Sequence, residues 1–205
     1  YTTLFRSEFE ESEVSENQED EAAVPEIEDP NKPINIAIIG KPNVGKSTLV
    51  NLIVGQKVSI VSNKPQTTRR KVLGIATQPD YQIVFVDTPG IHEPHTSLGK
   101  AMIDSAKSAL DGADVVVIVV DAAHHPGAGD AEIAKLIQPL KAPVLLCMNK
   151  MDQLKAEDVT RNLEAYQALL GISEDDFMLT TATRGHNVDK LVEIIVNKLP
   201  AQPAI

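Results

Sequence analysis

The chain has 205 residues, 42% of them apolar and only 3% aromatic, with one cysteine and a net charge of −10. That composition supports one aliphatic-cored domain, and no apolar run approaches the ~20 residues that cross a bilayer. A lone thiol allows no internal disulfide, which excludes a disulfide-built secreted scaffold and points to a reducing, cytoplasmic setting.

The charge divides unevenly. Residues 1–33 hold eleven acidic side chains against Arg6 and Lys32, a balance of −9 that leaves −1 for residues 34–205. So charged and weakly apolar a segment cannot offset its ordering entropy, and 1–33 is read as an acidic disordered tail, a solvated linker. It is acidic where a secretory leader is basic and apolar. Residues 1–7 lack an initiating Met and differ in texture from the acidic run behind them, so they are expected to be non-native sequence. Residues 34–200 are expected to form the folded domain, with 201–205 a C-terminal stub.

From residue 34 onward, β-branched runs alternate with helical patterns. Residues 34–39 predict a buried strand, and 46–54 a helix with Leu49, Val50, Leu52 and Ile53 on its apolar side. Residues 71–77 and 82–86 predict a strand pair about the turn Gln78, Pro79, Asp80. A helix over 98–110, a strand over 114–120, a helix over 130–140 and a strand over 143–148 follow. The last elements are a helix over 156–170, a strand over 177–180 and a helix over 188–199. This alternation implies a mostly parallel six-stranded sheet covered on both faces, an α/β/α three-layer sandwich of the P-loop type.

The strongest chemical signal is Gly40, Lys41, Pro42, Asn43, Val44, Gly45, Lys46, Ser47. It matches GxxxxGK[ST] between a strand and a helix, the context the motif requires. Gly40 and Gly45 let backbone N–H groups converge on phosphate oxygens, and the following helix adds its positive end. Gly40, Asn43, Val44, Gly45, Lys46, Ser47 and Thr48 are the candidate phosphate contacts. Lys46 is expected to reach the β- and γ-phosphates, and the Ser47 hydroxyl to ligate Mg²⁺.

The base is chosen elsewhere. Asn149, Lys150, Met151 and Asp152 follow the strand over 143–148, and a carboxylate at Asp152 accepts from guanine N1–H and its exocyclic amine. Adenine lacks that donor pair and would leave a buried carboxylate unpaired, so guanine is favoured. Asn149 is expected to brace the base and the loop, and the Lys150 stem to pack along the base. At Thr181, Ala182 and Thr183 a backbone N–H is placed to bond guanine O6.

Two further segments complete a phosphate site. Asp87, Thr88, Pro89 and Gly90 leave the strand over 82–86, where Asp87 holds Mg²⁺ and the Gly90 N–H senses the γ-phosphate. Gln66, Thr67, Thr68 and Arg69 lie in the loop after the first helix. A Thr hydroxyl, Thr68 in preference to Thr67, completes the magnesium shell only with the γ-phosphate present, which is a switch. Lys46, Thr68, Asn43 and Gly90 are thus the catalytic candidates, and Ser47, Thr68 and Asp87 the magnesium ligands.

The order GKPNVGKS, QTTR, DTPG, NKMD, TAT resembles the translation-factor-like GTPases. The run GQKVSIVS at 55–62, with Lys64, residues 66–69, Gly74 and Ile75, is similar to the Era-type bacterial ribosome-assembly GTPases across about 33–200. The competing resemblance is to the second GTPase domain of the Der proteins, also preceded by an acidic linker; the QTTR loop favours the Era type. The resemblance implies GTP hydrolysis with magnesium and a partner in the small ribosomal subunit and its rRNA. Peripheral membrane association and a monomeric state come with it as expectations. It also implies potassium held by Asn43, because Ile91 stands where Ras-like enzymes place a water-orienting Gln. Turnover is expected to be slow without potassium and a ribosomal partner. A module that binds nucleotide with negligible turnover is the alternative.

Three features depart from the family pattern. Era-type proteins carry an RNA-binding KH domain after the GTPase domain, and no GxxG loop or basic stretch follows Leu199, so rRNA affinity is expected to be weak. Thr181 stands where Ser is usual, and the acidic tail is not a usual feature. The remaining candidates read plainly. His92 and His95 are solvated loop residues rather than bases, His124, His125 and His186 are surface loop residues, and Cys147 is a buried small hydrophobe. Arg69, Arg70 and Lys71 form a solvated strand start.

Overall fold

The computed structural model describes residues 34–55, 72–77, 82–87 and 97–199, and everything below refers to these. The elements run β1 (Ile34–Ile39), α1 (Lys46–Val54), β2 (Val72–Thr77), β3 (Gln82–Asp87), α2 (Ser97–Leu110), β4 (Val115–Asp121), α3 (Ala128–Ile137), β5 (Val144–Asn149), α4 (Ala156–Leu170), β6 (Phe177–Leu179) and α5 (Val188–Asn197). Single 3₁₀ turns at Met151–Gln153 and Ala182–Arg184 were not foreseen from sequence. The tail at 1–33, the segment containing Thr67 and Thr68, Gly90 and Ile91, and the stub at 201–205 lie outside the described residues.

The six strands form one sheet in the order β2-β3-β1-β4-β5-β6. Neighbours pair in parallel from β3 to β6, and only β2 runs antiparallel to β3, as the expected pair about residues 78–80 requires. Parallel central strands covered on both faces need apolar side chains at every position, not at alternate ones. β4 shows this fully: all seven residues, VVVIVVD, are buried.

Alternation then sends the side chains into two cores. Ile36, Ile38, Val115, Val117, Val119, Leu145 and Cys147 pack with Leu49 and Val50 of α1 and Leu191 and Ile195 of α5. Ala37, Ile39, Val116, Ile118, Val120, Leu146 and Met148 pack with Ala106 and Leu110 of α2, Ile133 and Ile137 of α3, and Tyr166 and Leu170 of α4. This is the expected α/β/α sandwich.

Local differences have local causes. The third helix begins at Ala128, before the expected residue 130, because the Asp130 carboxylate accepts from the Gly127 N–H at 2.8 Å and so lies inside the first turn. It ends at Ile137 because Pro139 has no N–H to extend the ladder. Leu52, expected on the buried side of α1, is 43% exposed. Leu49, Val50 and Ile53 do face the core. No described helix is long and apolar enough to cross a membrane.

Candidate functional site

The site sits where parallel strands end and their connections diverge, beyond the carboxyl ends of β1, β4 and β5. Gly40 follows β1 with φ +155°, and a Cβ there would stand 2.2 Å from the Val119 carbonyl oxygen of β4. Gly45 has φ +102°, and its Cβ would stand 2.1 Å from the Asn149 amide nitrogen. Both positions demand glycine twice over, by backbone region and by space. Between them Asn43 is also left-handed, at φ 60°, and exposed.

Lys46 opens α1 and is 6% exposed. Its Nζ donates to the Lys41 carbonyl at 2.8 Å, so the loop closes on its own cation. Val44 is buried beneath the loop, while Ser47 and Thr48 are half-buried in the first turn of α1. Asp87 ends β3, and its backbone pairs with Ile38, two residues before Gly40. The sheet therefore carries the expected carboxylate-bearing residue to the strand beside the 40–47 loop. Among the described residues no group of three or more His, Cys, Asp or Glu is placed to hold a metal ion.

Asn149 is the hub of the other half. It is 3% exposed, at the end of β5. Its Nδ2 donates to the Val44 carbonyl at 2.9 Å. Its Oδ1 accepts from the Thr180 hydroxyl at 3.1 Å and from the Ala182 N–H at 2.9 Å. One side chain therefore ties the 40–47 loop to the segment after β6. The Ala182 N–H, one of the candidates for guanine O6, is engaged by Asn149 here. Thr181 and Ala182 are buried, and Thr183 is exposed.

Two details of the base motif differ from expectation. Lys150 has φ 62°, and its ammonium donates to Asp121 Oδ2 at 2.8 Å. Asp152, expected as a buried carboxylate, keeps 28% of its side chain exposed and lies 3.7 Å from the Arg184 guanidinium. Its place on a one-turn 3₁₀ segment, outside the sheet, leaves that face open.

Asp121, Thr180 and Asp130 belong to the site's frame and were not singled out from sequence. Burial alone raises the Asp121 carboxyl, but the Lys150 ammonium, the His124 ring and the Ala123 N–H outweigh it and hold it below its ordinary 3.8. Thr180 is fully buried, and its hydroxyl also lies 3.3 Å from Cys147 Sγ. Burial pushes the Cys147 thiol up to about 12, with the Thr180 contact opposing. A hydroxyl residue directly after β6 and level with the NKxD turn was the one available signal for Thr180. Nothing local links the two carboxylates to the site, because the lysines they hold are 29 and 89 residues away.

Comparison with known proteins agrees with this geometry. Residues 35–150 match a protein family described as 50S ribosome-binding GTPase. The chain is 45% identical to GTPase Era of Clostridium botulinum (strain Eklund 17B / Type B) over 168 residues, 82% of this chain and 56% of that protein. It is 41% identical to GTPase Era of Heliobacterium modesticaldum over the same shares. The chain thus spans somewhat over half the length of the curated relatives it matches. Among solved structures, Era in complex with MgGDPNP and nucleotides 1506–1542 of 16S ribosomal RNA superposes with a TM-score of 0.76 at 40% identity. That match covers 85% of this chain and 59% of the other. An Aquifex aeolicus Era variant bound to GDP and AlF4⁻ gives 0.74, also at 40%, over 82% and 57%. With the loop, the Asn149 hub and the strand order all in place, the chain belongs to this GTPase family, with the Era GTPases among its relatives.

Proposed function

We propose that this chain binds GTP and hydrolyses it to GDP and phosphate, as a cytoplasmic switch in assembly of the small ribosomal subunit. The observation that carries the reading is the Asn149 side chain, which ties a GxxxxGKS loop to an NKxD motif in one hydrogen-bonded unit. A loop that binds phosphates and a turn whose carboxylate matches guanine are thereby held at one fixed spacing.

In this reading, loop N–H groups from Gly40 to Thr48 cradle the phosphates, and Lys46, keeping one N–H on the Lys41 carbonyl, reaches the β- and γ-phosphate oxygens with the others. Asp152 reads the guanine edge, Asn149 fixes the distance between base and loop, and Lys150 lies along the base with Thr181, Ala182 and Thr183 beside it. Hydrolysis is attack of water on the γ-phosphorus; the bond to the β,γ-bridging oxygen breaks, and GDP leaves with its electron pair. Ser47, Asp87 and Thr68 are hard oxygen donors and fit magnesium, which neutralises the charge developing on the phosphates. Asn43, exposed in the loop, would help hold potassium, whose charge would stand where an arginine finger otherwise supplies it. The Gly90 N–H senses the γ-phosphate. The solved Era complex with 16S ribosomal RNA supports rRNA as the partner.

Phosphate release under excess GTP, with Lys46→Ala as the control, tests the activity; release no greater than that control leaves only a binding module. Rates equal in sodium and potassium, with no change of that response in Asn43→Ala, remove the potassium role. Filter binding to the 3′ end of the small-subunit rRNA tests the partner.

A further inference from the structure

Lys41 lies in the 40–47 loop without being one of its motif-defining residues. Its Nζ meets Asp130 Oδ2 at 2.6 Å, and that carboxylate, 1% exposed, also accepts from the Gly127 N–H at 2.8 Å. Among the described residues, Asp130 Oδ1 is buried without a partner. The backbone of the same lysine accepts the Lys46 ammonium through its carbonyl. Just before it, Gly40 leaves no room for a Cβ beside the Val119 carbonyl of β4, while the Lys41 ammonium meets the first turn of α3.

We propose that Asp130 is a positioning residue for nucleotide binding, fixing Lys41 and, through the Lys41 carbonyl, the Lys46 ammonium.

Asp130 also neutralises Lys41, so that Lys46 is the cation presented to the phosphates. The stretch of chain from the end of β4 to the first turn of α3 begins with Asp121, which binds Lys150 of the base motif. One stretch of chain therefore pins a lysine from each half of the site. Burial first, and then the charges of Asp130 and Asp121, raise the Tyr166 hydroxyl.

The proposal rests on the reading of this loop as a guanine-nucleotide site, and the test separates the two. GDP affinity is measured by calorimetry and GTP turnover by phosphate release, on the full chain, well below its melting temperature. No GDP binding by the unaltered chain sinks the functional reading. Given binding, Asp130→Asn is expected to raise KM and the GDP Kd roughly tenfold while kcat falls no more than about twofold, the signature of lost uniform binding. Lys41→Met is expected to weaken binding to the same degree. Lys41→Arg is expected to regain most of that loss, because a guanidinium fork reaches both Asp130 oxygens, including the orphaned Oδ1. The double variant Asp130→Asn with Lys41→Met is expected to bind no worse than either single one. Should Asp130→Asn fail to fold, the comparison of Lys41→Met with Lys41→Arg decides. A lowered melting temperature with KM and Kd within about twofold of the unaltered chain, or equal binding by Lys41→Met and Lys41→Arg, overturns the proposal.

Discussion

The two ends of the site are built by different physics. The 40–47 end is fixed by backbone: two glycines that no other residue can replace, a buried lysine capped on a main-chain carbonyl, and a carboxylate anchor from α3. The 149–152 end is fixed by side chains: Asn149 with three hydrogen bonds, Lys150 on Asp121, and an Asp152 that stays open to solvent. On the proposed reading, phosphates meet a surface already shaped by the fold, whereas the base completes its own end on arrival. Preformed sites lose less ordering entropy on binding.

The largest break in that comparison is expected at Gly40. Gly40→Ala sets a Cβ against the Val119 carbonyl at a left-handed φ, costing about 4 kcal/mol from strain and overlap together. Nucleotide binding is expected to vanish, as read by fluorescent GDP titration with thermal melts alongside. Next comes Asn149→Ala. It strands the Val44 carbonyl, the Thr180 hydroxyl and the Ala182 N–H at once, for about 3 kcal/mol by melting, and it uncouples the two ends. If Asn149→Ala kept full affinity, the idea of one hydrogen-bonded unit would be falsified.

A smaller effect sharpens the polar end. Because the Asp121 carboxyl is held below its ordinary 3.8, its contribution is complete above that value and is lost as pH falls through the lower folded value. Melting temperature between pH 5 and about 2 is expected to fall less steeply in Asp121→Asn than in the unaltered chain. Equal slopes would assign the acid lability to other carboxylates. The smallest effect belongs to Arg184, 73% exposed beside Asp152. Arg184→Ala is expected to change stability by less than about 1 kcal/mol, since exposed pairs are screened. A larger loss would show that the base end is more rigid than its exposure implies.

What the sequence disclosed tracks how local each signal is. β1, α1 and α4 match the expected bounds residue for residue, since continuous apolar runs and amphipathic spacing are local patterns. The phosphate loop was legible for the same reason. The ends of α3 were misplaced because a helix-capping carboxylate and a periodic helix residue look alike in sequence. Leu52 was assigned to the core on spacing alone, and the packing of α1 turned it outward. The lysine anchors were invisible, because nothing near Lys41 or Lys150 in the chain announces Asp130 or Asp121. The role of Asp152 stands as a proposal, and its burial is a tertiary quantity that a four-residue motif does not contain. The switch residues Thr68 and Gly90 lie outside the described residues, and their roles stand as proposals.

The bond between Lys46 and the Lys41 carbonyl bears on the heat of binding. An ammonium has three N–H donors, so Lys46 can keep the carbonyl and still meet phosphate oxygens, to which its charge-assisted bonds are the stronger ones. The contact is thus made once, by the fold, and is not remade with each ligand. When a ligand departs the lysine keeps an oxygen partner, and the loop does not have to fall apart first.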